Sequence, residues 1–158
     1  MSTEILSLTP VYEGEKTLIA QAVLVTPKGL VMQLRDFKAD IVDPGKWGCF
    51  AGAVESNENP DSAIKREISE ETGLSVSVLE KIAVFHILNR QMHVYVSQLQ
   101  DARVDLQEGA DWGIFSVEEI FSGLLFSQKF SKPFPLTFIS NAILRWLHAN
   151  RPSLLCYA

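Results

Sequence analysis

Glu67, Glu70 and Glu71 stand at positions i, i+3 and i+4 of a helix-like segment, a spacing that projects three carboxylates from one side of a helix. Like charges that close repel, so the cluster is destabilising unless cations occupy the space between the side chains. Ligands that are all hard oxygens select Mg²⁺, Mn²⁺ or Ca²⁺. Mg²⁺ suits a site with so few side chains, because it keeps several waters and commonly bridges carboxylates to the phosphates of a substrate. One retained water could then serve as a nucleophile. The competing reading is a solvated helix face whose glutamates pair with Lys65 and Arg66.

The residues around the cluster weigh against that competitor. Gly52 is followed, after five intervening residues, by Glu58, and after seven more by Arg66-Glu67-Ile68-Ser69-Glu70-Glu71-Thr72-Gly73-Leu74. At background frequencies of roughly 5–7% per position, seven such identities coincide by chance on the order of once in 10⁸ starting points. Arg66 lies one turn from Glu70 and Glu58 sits just ahead of the helix, so a guanidinium–carboxylate network can lock the side-chain directions. Gly52 lets the backbone approach a metal ion closely and offers a carbonyl as a further oxygen ligand.

A helix, a loop and neighbouring strands must hold these groups. Asn59-Pro60 predicts a helix start, since an Asn side chain caps free amides and proline is tolerated at the first helical position; Gly73 predicts the stop. Within the expected helix over 60–72, Ile64 and Ile68 form an apolar stripe that packs onto a sheet and leaves the carboxylates at its edge. Upstream, 17–26 and 30–34 flank the turn Pro27-Lys28-Gly29 as a hairpin, 35–46 reads as loop, and 47–51 resumes strand character. Downstream, 76–87 and 92–96 form a second hairpin around Leu88-Asn89-Arg90. A short piece over 104–106, a strand over 112–115 and a capping-box helix over 117–121 behind Ser116 and Glu119 follow. Pro133 and Pro135 are expected to break the chain before a last helix over 136–149.

With 158 residues, 47% apolar and 21% charged, the chain is expected to form one domain over 1–158, its core at about 16–150. Met1 to Glu15 lacks the basic start and apolar run of a signal peptide, and Leu18 to Val25 is too short to span a bilayer. A cytoplasmic protein without membrane contact is therefore expected. Cys49 and Cys156 have no partner spacing that indicates zinc or a redox pair. A formal charge of −5 argues against nucleic acid as a partner, while small phosphate-rich molecules remain accessible through divalent cations.

The segment from Gly52 to Leu74 resembles the complete Nudix box of the MutT-like hydrolases, and the element order from about Lys16 to Asn150 resembles that family more loosely. The resemblance implies an α/β/α sandwich around a mixed β-sheet, with the box (52–74) forming a loop–helix–loop that binds metal. It implies a Mg²⁺-dependent enzyme, with Mn²⁺ as a substitute, that acts on acid anhydrides. A metal-activated water would attack phosphorus in a nucleoside diphosphate linked to another group, of the nucleoside triphosphate or nucleotide sugar type. The alternative is a non-catalytic nucleotide-binding or sensor module on the same fold, and a homodimer is compatible with either. Carried over by position, the Gly52 carbonyl and the Glu67, Glu70 and Glu71 side chains correspond to metal ligands. Arg66 corresponds to the residue that orients a catalytic glutamate, and Glu58 to one that supports the loop. Glu108 is the candidate general base on a loop after the second hairpin.

Substrate choice depends on residues outside the box. Arg35, Trp47, Trp112 and Phe115 are candidates to contact phosphate or stack on a base, against the simpler expectation that tryptophans beside apolar strands pack in the core. His86, Asn89, Arg90 and His93 gather around the second hairpin. The chain carries no proline between Gly73 and Phe130, places Tyr95 farther from the box than the dinucleoside polyphosphate signature does, and has Ser131-Lys132-Pro133-Phe134-Pro135 too late for the NADH-type motif. It thus matches no subgroup signature, and Ala51 stands where many members carry glycine.

Overall fold

Alternation along 17–26 organises the molecule. Ala20, Ala22 and Leu24 point to one core, with Phe50, Ile64 and Ile68, while Val23 and Val25 point to the other, with Met32, Phe85, Ile143 and Leu147. A strand covered on both faces reads as a continuous apolar run, which is why this segment looks so uniformly hydrophobic. The structure, a computed structural model, describes residues 3–158; Met1 and Ser2, the start of the stretch read above for a signal peptide, lie outside the described residues.

In chain order the elements are β1 (Glu4–Ser7), β2 (Thr17–Thr26), β3 (Gly29–Leu34), β4 (Trp47–Gly48), β5 (Phe50–Ala53), α1 (Pro60–Thr72), β6 (Glu80–Ile87), β7 (Arg90–Gln98), β8 (Asp111–Phe115), α2 (Val117–Phe121), β9 (Leu124–Ser127), β10 (Lys132–Pro135) and α3 (Phe138–Asn150), with a 3₁₀ turn over Pro152–Leu155. The main sheet runs β1-β6-β7-β2-β3-β4, with β5 also on β2 and β8 also on β3. Both β1–β6 and β2–β7 are parallel and the other pairs are antiparallel, so the sheet is mixed. Helix α1 packs in one core and α3 in the other, giving the α/β/α sandwich that the resemblance implied.

One irregularity of this sheet positions the site. The β2–β3 hairpin pairs only from Leu24↔Val31 to Thr26↔Gly29 and then splays. Segment 47–53 wedges into the gap: β4 pairs with β3 through Leu34↔Trp47, and β5 pairs with β2 from Ile19↔Ala53 to Ala22↔Phe50. Ala51 is paired with Gln21 and Gly52 with Ala20, so these two neighbours on β5 address opposite faces of the sheet.

Helix α1 has the bounds its end signals predict. Asn59 accepts a hydrogen bond from Ser62 N at 2.9 Å, a cap of about 1 kcal/mol. Gly73 takes φ 70°, a left-handed conformation in which its N–H reaches Ser69 O. The Tyr95 hydroxyl donates to Asp61 and ties the first turn of the helix to β7.

Other expectations shift. Strand β6 begins at Glu80, and Val76 and Leu79 pack beneath the α1 core instead of pairing. Segment 104–106 is no strand, because its neighbourhood serves the helix end: Asp105 N donates to Thr72 O and Gln107 N to Glu71 O, both at 2.9 Å. Pro133 and Pro135 lie inside β10, which pairs with β9 in a two-stranded ribbon where missing amide donors are tolerated. The last helix begins at Phe138, capped by Thr137, which accepts from Ser140 N. No described helix is long and apolar enough to cross a membrane.

Candidate active site

The wedged strand β5 presses its backbone against α1. At Gly52 a Cβ would overlap the Glu67 carboxylate, so any other residue would push that carboxylate away from the strand. Arg66 then gathers the acidic groups. Its Nη2 and Nε donate to Glu58 at 2.6 and 3.1 Å, while Nη1 donates to Glu67 at 2.9 Å and to Glu70 at 3.0 Å. A weaker bond from Nη2 reaches Ala53 O at 3.3 Å, at the end of β5. One guanidinium thereby fixes three carboxylates relative to the strand.

Electrostatics separate the glutamates. Hydrogen bonds from Arg66, reinforced by the Glu55 amide, hold the Glu58 carboxyl below its ordinary range, and Glu58 in turn pushes the Arg66 guanidinium up. Glu71 is only 3% exposed. Burial, then the adjacent Glu67 carboxylate and more weakly Glu108, raise the Glu71 carboxyl to about 9. Its Oε1 has no hydrogen-bond partner.

A cleft of about 530 Å³ opens over these groups, walled by Glu67, Glu70, Glu71 and Glu108 and by the cations of Arg35 and Lys38. Glu108 is brought here by its own backbone: Gln33 Nε2 donates to the Glu108 carbonyl at 2.7 Å, and the preceding residue is bonded to the end of α1. The residues fit a hard divalent cation. They supply only oxygen donors, one of them a buried carboxylate oxygen with no partner, beside the Gly52 backbone, against which the Glu67 carboxylate lies where a Cβ would otherwise stand. Among the described residues no three acidic side chains already converge on one point, because Arg66 draws Glu67 and Glu70 toward itself. Glu67, Glu71 and the Gly52 carbonyl would hold the ion, with Glu70 or Glu108 completing the set.

A second cleft of about 220 Å³ lies on the α3 side of β5, lined by Ile19, Gln21, Met92, Thr137, Ile139 and Ser140. Arg90 also lines it, while Arg35, Ala51 and Gly52 line both clefts. The structure therefore brings Gly52, Glu67, Glu70, Glu71, Glu108 and Arg35 together, with Glu58 and Arg66 behind them, and puts Arg90 in the adjoining cleft.

Trp47, expected as a substrate contact, requires correction. It is 0% exposed, its Nε1 donates to Leu125 O at 2.9 Å and its ring packs edge-on against Phe115, so no ligand can reach it. Phe115 is likewise core, and Trp112 lines a third, separate hollow on β8. His86 pairs with Lys16 and His93 with Gln91; burial drives His93 down to about 4, and neither lines a cleft. The sequence reading missed Gln21, Gln33, Lys38, Thr137 and Ser140. Gln21 alone carried a signal, as a carboxamide interrupting a strand that is otherwise apolar.

The NUDIX domain model matches residues 16–137. Over 63 residues the chain is 43% identical to the oxidized purine nucleoside triphosphate hydrolase of Danio rerio, which covers 38% of this chain and 37% of that protein. The Mus musculus protein of the same name is 42% identical over 53 residues, 34% of this chain and 31% of its own length. The matched stretch thus spans about a third of each relative. Among solved structures, a mutT/nudix family protein from Listeria innocua is similar at TM-score 0.69 and 18% identity, covering 89% of this chain and 97% of that one. The NUDIX domain of Shewanella oneidensis NrtR, solved with ADP ribose, gives TM-score 0.68 at 14% identity, covering 86% and 88%. Its family pattern runs from the first long strand to the cap of the last helix, around an intact carboxylate set, and the chain belongs to the NUDIX domain family.

Proposed function

We propose that the chain is a hydrolase that cleaves a phosphoanhydride bond in a nucleoside diphosphate linked to another group, with Mg²⁺ as its working ion and Mn²⁺ as a substitute. The observation that carries this reading is the buried Glu71 oxygen without a partner beside Glu67 and the bare Gly52 backbone, a combination that is costly unless a cation, or in the metal-free protein a proton, is taken up there. A bound divalent ion would supply positive charge for the diphosphate and lower the pKa of a water within its reach.

The chain's own residues do the rest. Arg66 holds Glu67 and Glu70 in fixed positions on the wall of the cleft until a cation competes for them. Glu108, exposed on the rim, accepts the proton that the attacking water gives up. Arg35 and Lys38 face the anionic phosphate oxygens, and Arg35, which lines both clefts, marks where the phosphates pass toward the rest of the substrate. Water adds to one phosphorus, the anhydride oxygen leaves on the other, and two phosphate-ended products result. The names of the Danio rerio and Mus musculus relatives favour a nucleoside triphosphate as that substrate.

A panel of nucleoside triphosphates, nucleotide sugars and dinucleotides with Mg²⁺ tests the proposal, with phosphate, pyrophosphate and nucleoside monophosphate as readouts. Turnover of at least one class is expected, and silence across all of them would end the hydrolase reading. A non-catalytic nucleotide sensor is the alternative, favoured by the grip of Arg66 on Glu67 and Glu70. It predicts tight binding without product in the same panel.

A further inference from the structure

The second cleft contains an unsatisfied group that the carboxylate chemistry does not use. Gln21 is 1% exposed, lines the cleft, and its Nε2 has no hydrogen-bond partner. An amide in the middle of a central strand, among Ile19, Val23 and Val25 on the same face, gains nothing from packing that an aliphatic side chain would not supply better. Leaving a buried donor unpaired destabilises the protein, and such groups call for a partner from outside the chain, a water or the ligand that displaces it.

Two further donors stand in the same cleft. Thr137 Oγ1 accepts from Ser140 N at 3.1 Å, and Ser140 Oγ accepts from Cys49 N at 3.0 Å. Both hydroxyls use an acceptor lone pair on the backbone; that of Thr137 keeps its O–H proton to give, while that of Ser140 is shared with the Cys49 thiol. Ile19, Met92 and Ile139 supply apolar walls, and Arg35 and Arg90 add cationic N–H groups. The cleft therefore presents donors between apolar surfaces and no carboxylate other than Asp43. Its complement is a planar, apolar-faced group whose edge carries acceptors.

We propose that Gln21 is a specificity-determining residue that reads the base of the nucleotide, selecting oxo-substituted bases over amino-substituted ones by donating to the ring carbonyl oxygen. This rests on the reading of the adjoining cleft as the phosphate site, because Arg35, Ala51 and Gly52 join the two clefts and fix which part of the substrate reaches Gln21. With Nε2 turned to the ligand, an amino group in place of the carbonyl oxygen would set donor against donor. A buried polar group left unpaired in the wrong complex is what gives a hydrogen-bonding pocket its discrimination.

Inosine monophosphate and adenosine monophosphate differ at the 6-position in this way, oxo against amino, and lack the anhydride bond. Their dissociation constants for the intact protein with Mg²⁺, measured by calorimetry, test the proposal without requiring turnover. Wild-type protein is expected to prefer the oxo base by about tenfold or more. Gln21→Leu is expected to abolish that preference, and Gln21→Glu, an acceptor, to reverse it. Gln21→Met serves as the neutral replacement should Gln21→Leu fail to fold. With inosine and adenosine triphosphates as substrates, the same variants should change KM for the oxo base and leave kcat alone. A merely structural Gln21 would lower Tm and affect both bases equally. The proposal is overturned if the wild type binds neither nucleotide, shows no oxo preference, or keeps that preference in Gln21→Leu or Gln21→Met. If the preference is found and lost as expected but no triphosphate is cleaved, the inference stands and the hydrolase reading falls.

Discussion

The two clefts share strand β5 and otherwise have opposite constructions. The first is charged, and its three helix carboxylates with the Gly52 backbone come from the contiguous stretch 52–71, with Glu108 strapped on through Gln33 and the end of α1. The second is nearly free of acids and is assembled from β2, β7 and α3, elements that meet only in the folded chain. A row of carboxylates at fixed helical spacing is something that a short segment can encode alone. Selecting a ligand needs shape and a few placed donors, which only the tertiary fold can deliver.

Removing a carboxylate should break the first cleft without touching the second. Glu67→Gln is expected to lower kcat by about 10³ or more, the scale of several kcal/mol of lost charge stabilisation. Mononucleotide affinity should stay within about twofold, and a melting curve should show a folded protein. A matching loss of mononucleotide binding would mean that the clefts are one site energetically, and the comparison would collapse.

Neighbouring substitutions on β5 give a finer test, since Ala51 and Gly52 address opposite faces. Gly52→Ala drives a Cβ into the Glu67 carboxylate, and a displacement of that order at the reacting centre should cost about 10² in kcat. Ala51→Leu fills the space beside Gln21 instead. Its expected signature is a KM raised by about tenfold with kcat nearly unchanged. Steady-state kinetics on both variants decides the matter. If each changed the same parameter, β5 would not divide the two clefts.

The same division explains what could be read from the sequence. Helix α1, its Asn59 cap, its Gly73 stop and the Arg66 network are local, and the spacing of residues 52–74 specifies them nearly completely. Trp47 misled because a tryptophan beside a loop looks the same whether its indole N–H meets a ligand or the Leu125 carbonyl 78 residues away. Strand β1 escaped notice because four residues pairing in parallel with β6 leave no local periodicity to detect. The ribbon of β9 and β10 was hidden by its prolines. Gln21 was visible as an oddity, but its meaning depends on Thr137 and Ser140, more than a hundred residues downstream.

The remaining expected effect concerns protons. The Glu71 carboxyl is raised from 4.5 to about 9, so between those values the folded protein retains a proton that the unfolded chain has released. Its contribution is fully present below about pH 4.5 and is lost as pH rises toward 9, at no more than about 1.4 kcal/mol per pH unit. Thermal melts of metal-free protein from pH 6 to 9 should show Tm falling through this window. Glu71→Gln should flatten the fall, and so should saturating Mg²⁺, which favours the charged carboxylate and therefore binds more tightly as pH rises. Gln21→Leu, with no titrating group in its cleft altered, should give a curve parallel to the wild type. A Glu71→Gln curve that also ran parallel would remove the buried carboxylate as the source of the pH dependence, and with it the electrostatic contrast between the two clefts.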